Sequence, residues 1–413
     1  MRVLIINTSE RIGGAAIAAN RLMEALKKNG VKAKMLVRDK QTDHLTVLSV
    51  GSSWLMPIKF VWERFCIFIA NNFSKKNLFQ VDIANTGTDV TSISEFQRAD
   101  VIHLHWVNQG FLSLNDIEKI ISSGKPVVIT MHDQWYFTGV CHYSDKCEKY
   151  KTLCQDCNLM SHKLFGDIPK KVFEKKQQIY KNARITFVGC SKWMADLARS
   201  SKLAEGHRVV NIPNAIDTEL FCPSDKTAAR KEFNLPEDKR LLLFGCQRIT
   251  DERKGFNLLV DALQIIKKEH PELSNKVEIV VVGGDSDKVA DMLSFNIIPV
   301  SYVSDPQKMV QLYNAIDIYV TPSLQDNLPN TIVESMACGI PCVGFNVGGI
   351  PEMIDHKENG YVAEYKNAQD FADGIIWALS ADYSSLSSNA RSKAVKTYSE
   401  SAVARKYTEI YEN

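Results

Sequence analysis

The chain has 413 residues, of which 45% are hydrophobic and 24% charged, with a formal net charge of +2. That is the composition of an ordinary globular protein. Domains commonly hold about 100 to 200 residues, so the length predicts two of them. A charge balance this close to neutral gives no reason to expect nucleic acid as a partner.

The opening run Val3 to Ile6 reads as a first strand rather than a signal peptide, which predicts a protein that stays in the cytosol. Gly13-Gly14 follows, ahead of a helical run from Ala15 to Leu26. Two glycines let backbone amides approach a phosphate or a sugar without interference from Cβ, although such loops also serve as plain turns. A second strand is expected at Ala33 to Val37. The stretch from Trp54 to Ala70 is apolar and aromatic, but Lys59, Glu63 and Arg64 interrupt it, so it does not make an uninterrupted span of about 20 apolar residues. It suits a helix lying on a membrane surface, and equally a helix packed on its own domain.

Further strands are expected at Val101 to Leu104, Val127 to Thr130 and Ile185 to Gly189, separated by helical patterns. This alternation is the signature of a parallel sheet covered by helices on both faces. His103 and His105 have the same parity and should share one face of the sheet. His132-Asp133 comes directly after a strand, at the carboxyl edge where open α/β sheets bind ligands. Cys141, Cys147, Cys154 and Cys157 then crowd an irregular segment, 141–157. Four soft ligands in a short insertion can close a structural zinc site, while free cysteines and local disulfides remain alternatives. Ser191-Lys-Trp193 follows the last of these strands.

A boundary is expected near Pro213, in a segment of turn-forming residues. Beyond it the pattern restarts, with strands at Arg240 to Gly245, Val277 to Gly283, Ile318 to Val320 and Pro341 to Gly344. Arg248 and the cluster Asp251-Glu-Arg-Lys254 follow the first of these. Ser323 to Asn330 reads as a polar loop after a strand, and Thr331 to Gly339 as the helix it opens into, a junction suited to a nucleotide phosphate. Asp326 and Glu334 are carboxylates on that loop and helix. The division predicted is 1–212, 213–388 and a terminal amphipathic helix, 389–413, packing back toward the first domain.

Ile212-Pro-Asn-Ala-Ile-Asp217, Arg248 with Lys254-Gly255, and the segment from Ser323 to Pro341 together resemble the retaining glycosyltransferases of family four, in particular the branch of colanic acid and capsular polysaccharide enzymes. The resemblance implies an α/β protein of GT-B architecture, two Rossmann-like doubly wound domains facing an interdomain cleft. It implies a metal-independent transfer of a sugar from a nucleoside diphosphate to a saccharide acceptor, lipid-linked, at the inner face of a membrane. Within it, Asp326 contacts the donor sugar, Glu334 the ribose, and Arg248 and Lys254 the diphosphate. Arg253 competes for one place in that basic pair. Gly13, Gly14, Asn327, Leu328, Pro329, Asn330 and Thr331 fall in the donor-binding loops, and His132 lies by the donor sugar and acceptor. No cofactor beyond the donor substrate is implied. The rivals are a nucleotide-sugar epimerase of the same fold and a non-catalytic sugar-binding protein.

Overall fold

The computed structural model describes residues 1–50, 55–161, 165–286 and 295–412. Trp54, the first residue of the apolar stretch, and Asn413 lie outside them. Two compact units emerge, Met1–Asn214 with Val403–Asn413, and Ala215–Ala402.

The first unit carries β1 (Arg2–Ser9), β2 (Lys32–Asp39), β3 (Val47–Ser49), β4 (Val101–Leu104), β5 (Val127–Met131), β6 (Ile185–Gly189) and β7 (Arg208–Asn211). All pair in parallel in the order β3-β2-β1-β4-β5-β6-β7. Its helices are α1 (Gly14–Lys28), α2 (Leu55–Ala70), α3 (Ser94–Arg98), α4 (Leu114–Ile121), α5 (Ile168–Tyr180) and α6 (Lys192–Arg199). The central strands are apolar on both faces, as a sheet covered on both sides requires, and Ile5, Ile6, Ile102, Leu104 and Ile129 are fully buried.

The second unit repeats the plan with β8 (Arg240–Arg248), β9 (Val277–Gly284), β10 (Ile297–Val300), β11 (Ile318–Thr321), β12 (Cys342–Phe345) and β13 (Gly360–Ala363), all parallel in the order β10-β9-β8-β11-β12-β13. Its helices are α7 (Lys226–Glu232), α8 (Phe256–Glu269), α9 (Pro306–Ala315), α10 (Asn330–Ala337), α11 (Ile350–Met353), α12 (Ala368–Ser380) and α13 (Tyr383–Tyr398). The last helix, α14 (Glu400–Tyr411), returns to the first unit, where the Tyr407 hydroxyl lies 2.9 Å from Thr130 Oγ1 and the Tyr411 hydroxyl 2.7 Å from His103 Nδ1.

In each sheet the strand order reverses direction once, between β1 and β4 in the first and between β8 and β11 in the second. The chain leaves those strands on opposite faces, which opens a crevice at their carboxyl ends. The fold therefore nominates two places for ligands: the loops after β1 and β4, and the loops after β8 and β11.

Candidate functional site

In the second unit the sequence candidates converge on the crevice at β8 and β11. Lys254 ends a single 3-10 turn, Glu252–Lys254, in which the Arg253 amide donates to the capping Asp251 side chain. Its Nζ lies 2.6 Å from Asp326 Oδ2, so the basic turn after β8 and the acidic loop after β11 are joined by an ion pair. The Leu324 amide donates to the Arg253 carbonyl at 2.7 Å and ties the same two loops through backbone.

Two glycines make this approach possible. Gly255 has φ +70° and a Cβ there would come within 1.9 Å of the Pro322 carbonyl oxygen. Gly348 has φ +58°, and its Cβ would fall 1.7 Å from the Asp326 carbonyl oxygen. Any side chain at either position would push the Asp326 loop out of place.

Glu334 sits in α10, buried, and accepts a hydrogen bond of 2.8 Å from the Tyr313 hydroxyl of α9. Burial, reinforced by the Glu334 charge, raises the Tyr313 pKa well above the usual phenol range, so the hydroxyl keeps its proton and donates. Asn327 and Leu328 are buried in the loop, Pro329 caps α10, and Asn330 and Thr331 form its first turn, where Thr331 Oγ1 accepts from the Tyr319 hydroxyl at 2.8 Å. Arg248 is exposed at the end of β8. Arg253, its competitor, is 52% exposed in its side chain and is committed to Asp251, with Nη2 to Oδ2 at 2.7 Å. Tyr313 is the member of this site that sequence reasoning missed.

In the first unit, Gly13 (φ +90°) and Gly14 lead from the end of β1 into α1. A cavity of about 320 Å³ opens beside them, lined among others by Asn7, Thr8, Ile12, Arg38, Phe60 and Trp106. His132 follows β5, and its Nε2 lies 2.9 Å from His105 Nδ1, while its Nδ1 lies 3.5 Å from Cys190 Sγ. His103 and His105 do share a face, with ring centroids 4.3 Å apart. His103 is locked between Tyr411 and Thr130, and is structural. Asp133 serves its neighbours: it accepts from Trp106 Nε1 at 2.8 Å, from the Trp135 amide at 2.9 Å, and meets His142 Nδ1 at 2.7 Å.

Burial lowers the pKa of His103 to about 3 and of His132 to about 4, and holds His105 well below the usual range. The three imidazoles are neutral at working pH. Because the folded state refuses protons that the unfolded chain accepts near pH 6.5, stability falls as pH drops from 6.5 toward 4. Each of the three groups adds to the loss, which steepens as pH falls below 6.5. Urea unfolding between pH 7 and 5 measures it, and His103→Gln should remove about a third of the histidine contribution; an unchanged slope would contradict the assignment.

The cysteine segment departs from expectation. Cys141, Cys147, Cys154 and Cys157 are free, and among the described residues no group of three or more His, Cys, Asp or Glu is arranged to hold a metal ion. The structural zinc is therefore not supported. Burial pushes the thiols of Cys141 and Cys154 up, to about 12 and about 11, which keeps them protonated. Lys176 of α5 ties down the turn that leads into the segment. Its fully buried Nζ donates to the carbonyls of Trp135 (2.5 Å), Thr138 (3.1 Å) and Gly139 (3.0 Å), and stands 3.5 Å from the Trp135 ring centroid.

Comparison with known proteins bears on both units. Residues 12–220 match the family described as Glycosyltransferase Family 4, and residues 238–381 match Glycosyl transferases group 1. The chain is 24% identical to WcaC of Escherichia coli, a protein named for glycosyl transfer in colanic acid biosynthesis, over 76% of each chain. It spans about half the length of the first curated relatives it matches, at 25 to 30% identity. Among solved structures it is similar in fold to sucrose-phosphate synthase from Thermosynechococcus elongatus, with TM-score 0.71, 18% identity and coverage of 100% of this chain and 98% of that one. It is similar also to Anabaena HepE in complex with UDP-glucose, with TM-score 0.62, 15% identity and coverage of 100% and 99%. The two parallel doubly wound sheets are those of the GT-B class.

Proposed function

Because the chain belongs to glycosyltransferase family 4, we propose that it moves a hexosyl group from a nucleoside diphosphate sugar to a saccharide acceptor, lipid-linked, in surface polysaccharide synthesis, with retention of anomeric configuration and without a catalytic metal. The observation that carries this reading is the grouping of Lys254, Asp326 and the Tyr313-held Glu334 where β8 and β11 end. A similar fold holds UDP-glucose in Anabaena HepE, and WcaC is named for polysaccharide chemistry.

Each residue has a task that follows from its surroundings. Glu334, fixed on one side by Tyr313, offers its remaining acceptor capacity to the ribose hydroxyls, and a carboxylate accepts such bonds more strongly than a neutral amide. Asp326, paired with Lys254, holds the sugar hydroxyls. Lys254 and Arg248 meet the charge that grows on the diphosphate as the bond to the anomeric carbon breaks. The amides at the start of α10, with Asn327 to Thr331 around them, complete the donor's surroundings in the second unit. The acceptor oxygen bonds to the anomeric carbon on the face the diphosphate leaves, and its proton passes to a phosphate oxygen. No enzyme nucleophile is needed.

Glu334→Gln tests the ribose contact. Calorimetric affinity for the nucleoside diphosphate should fall about tenfold, as expected for loss of one charge-assisted hydrogen bond, while Tyr313→Phe should fall in the same direction by less. Unchanged affinity in Glu334→Gln would remove Glu334 from the site.

A further inference from the structure

Helix α2 packs Ile67 and Ala70 into the core yet carries a second apolar face outward. Ile58, Val61, Trp62 and Phe65, spaced i, i+3, i+4 and i+7 on one face, are 51%, 61%, 53% and 47% exposed. The ionisable side chains between them turn inward. Glu63 is fully buried and accepts from the Ala84 amide at 2.7 Å. Arg64, 6% exposed, pairs with buried Asp82 at 2.9 Å and donates to the carbonyls of Leu78 (2.6 Å) and Val81 (3.0 Å). Lys59 Nζ is spent on the Gly87 carbonyl at 2.6 Å and on Thr88 Oγ1 at 2.7 Å. A helix on the surface of a water-soluble domain keeps its apolar residues to the core side, so a second apolar face left in solvent marks an outer face made to be covered.

The chain beyond the helix extends that face. Phe73 and Phe79 are each 64% exposed, and Lys75 and Lys76 are exposed between them. From Pro57 to Gln80 the one acidic residue is Glu63, and it is buried, so the charge this face shows to solvent is positive only. Aromatic and aliphatic side chains flanked by unopposed lysines match the interface of a bilayer, where rings sit at headgroup level and cations meet anionic phosphates. Among the described residues no helix is long and apolar enough to cross a membrane. At about 1.5 Å per residue, α2 is about 24 Å long, a length that suits lying flat.

We propose that the face formed by Ile58, Val61, Trp62 and Phe65, with Lys75 and Lys76, docks the protein on an anionic lipid surface. Phe60, on the inner side of the same helix, lines the 320 Å³ cavity at the carboxyl end of β1. Docking through α2 therefore sets that cavity beside the lipid headgroups, which suits an acceptor carried on a lipid diphosphate; this last link rests on the transferase reading.

The test is flotation with phosphatidylcholine vesicles, with and without 30 mol% phosphatidylglycerol, in the absence of donor and acceptor. The protein should float with the anionic vesicles and not with neutral ones. Trp62→Ser/Phe65→Ser should lose at least tenfold in binding, and Lys75→Glu/Lys76→Glu at least fivefold per lysine, both with unchanged circular dichroism, since all four side chains face solvent. Absence of flotation with anionic vesicles would overturn the proposal. So would binding unaffected by either pair, or a lipid-free dimer that Trp62→Ser/Phe65→Ser dissociates, which would make a second copy the occupant. Vesicle binding needs no catalysis, so its failure leaves the transferase reading standing.

Discussion

Alanine at Lys254 should lower turnover by about a hundredfold to a thousandfold, the usual cost of removing one charge that stabilises a transition state, equivalent to about 3 to 4 kcal/mol. Charge on the departing diphosphate is greater in the transition state than in the bound donor, so the loss should fall on kcat more than on donor affinity. Lys254 also neutralises Asp326 at 2.6 Å, so the variant releases an unpaired carboxylate beside an anionic donor and adds to the damage. Arg248→Ala should lose turnover in the same way, since its exposed side chain is open to the ligand. Arg253→Ala is the internal control. Its guanidinium is held by Asp251 and its link to Leu324 runs through backbone, which alanine preserves. Its turnover should stay within about threefold of wild type, as for a surface change away from the reacting atoms. A crippled Arg253 variant beside an active Lys254 variant would overturn the assignment of the basic pair.

Replacement of Lys176 by methionine should destabilise the first unit by about 3 to 5 kcal/mol. The thioether fills the stem's volume but leaves the Thr138 and Gly139 carbonyls without their donor and Trp135 with only the Thr138 amide at 3.4 Å, and each buried acceptor left unpaired costs about 1 to 3 kcal/mol. Burial pulls the Lys176 pKa down to about 7, the cost that three carbonyls and the Trp135 ring face offset. Denaturant unfolding followed by tryptophan fluorescence measures the loss, since Trp135 lies against the replaced group. A change below about 1 kcal/mol, together with a chelator-induced drop in the melting temperature of the wild type, would return the cysteine segment to a metal site.

The interior strands of both sheets were legible because they are β-branched runs buried on both faces, as Val101 to Leu104 and Ile318 to Val320 show. The strands that sequence did not announce are edges. β3 has three residues, β10 contains Pro299, tolerable only where an amide needs no partner, and β7 begins and ends on exposed Arg208 and Asn211. The residues assigned to the donor stood out because Asp326, Glu334 and Lys254 lie in segments whose spacing carries meaning. Tyr313 did not, since within α9 it is one more aromatic residue and its bond to Glu334 exists only after two helices pack. Lys176 was hidden among Lys170, Lys171 and Lys175, of which it alone is fully buried. Glu63 and Arg64 rightly excluded a membrane span, but their burial was not legible, since it depends on Asp82, which pairs with Arg64, while burial together with the Asp82 charge raises the Glu63 pKa to about 9.

The central claim is transfer with retention, driven by side-chain cations at the ends of β8 and β11. The most direct measurement is nuclear magnetic resonance of the reaction between an isotopically labelled nucleoside diphosphate sugar and a panel of lipid-linked saccharides, run in excess EDTA. The account predicts release of the nucleoside diphosphate and a new glycosidic linkage with the anomeric configuration of the donor. An inverted linkage, a free epimerised sugar with no linkage formed, or transfer by folded protein that returns only with magnesium or manganese would contradict it.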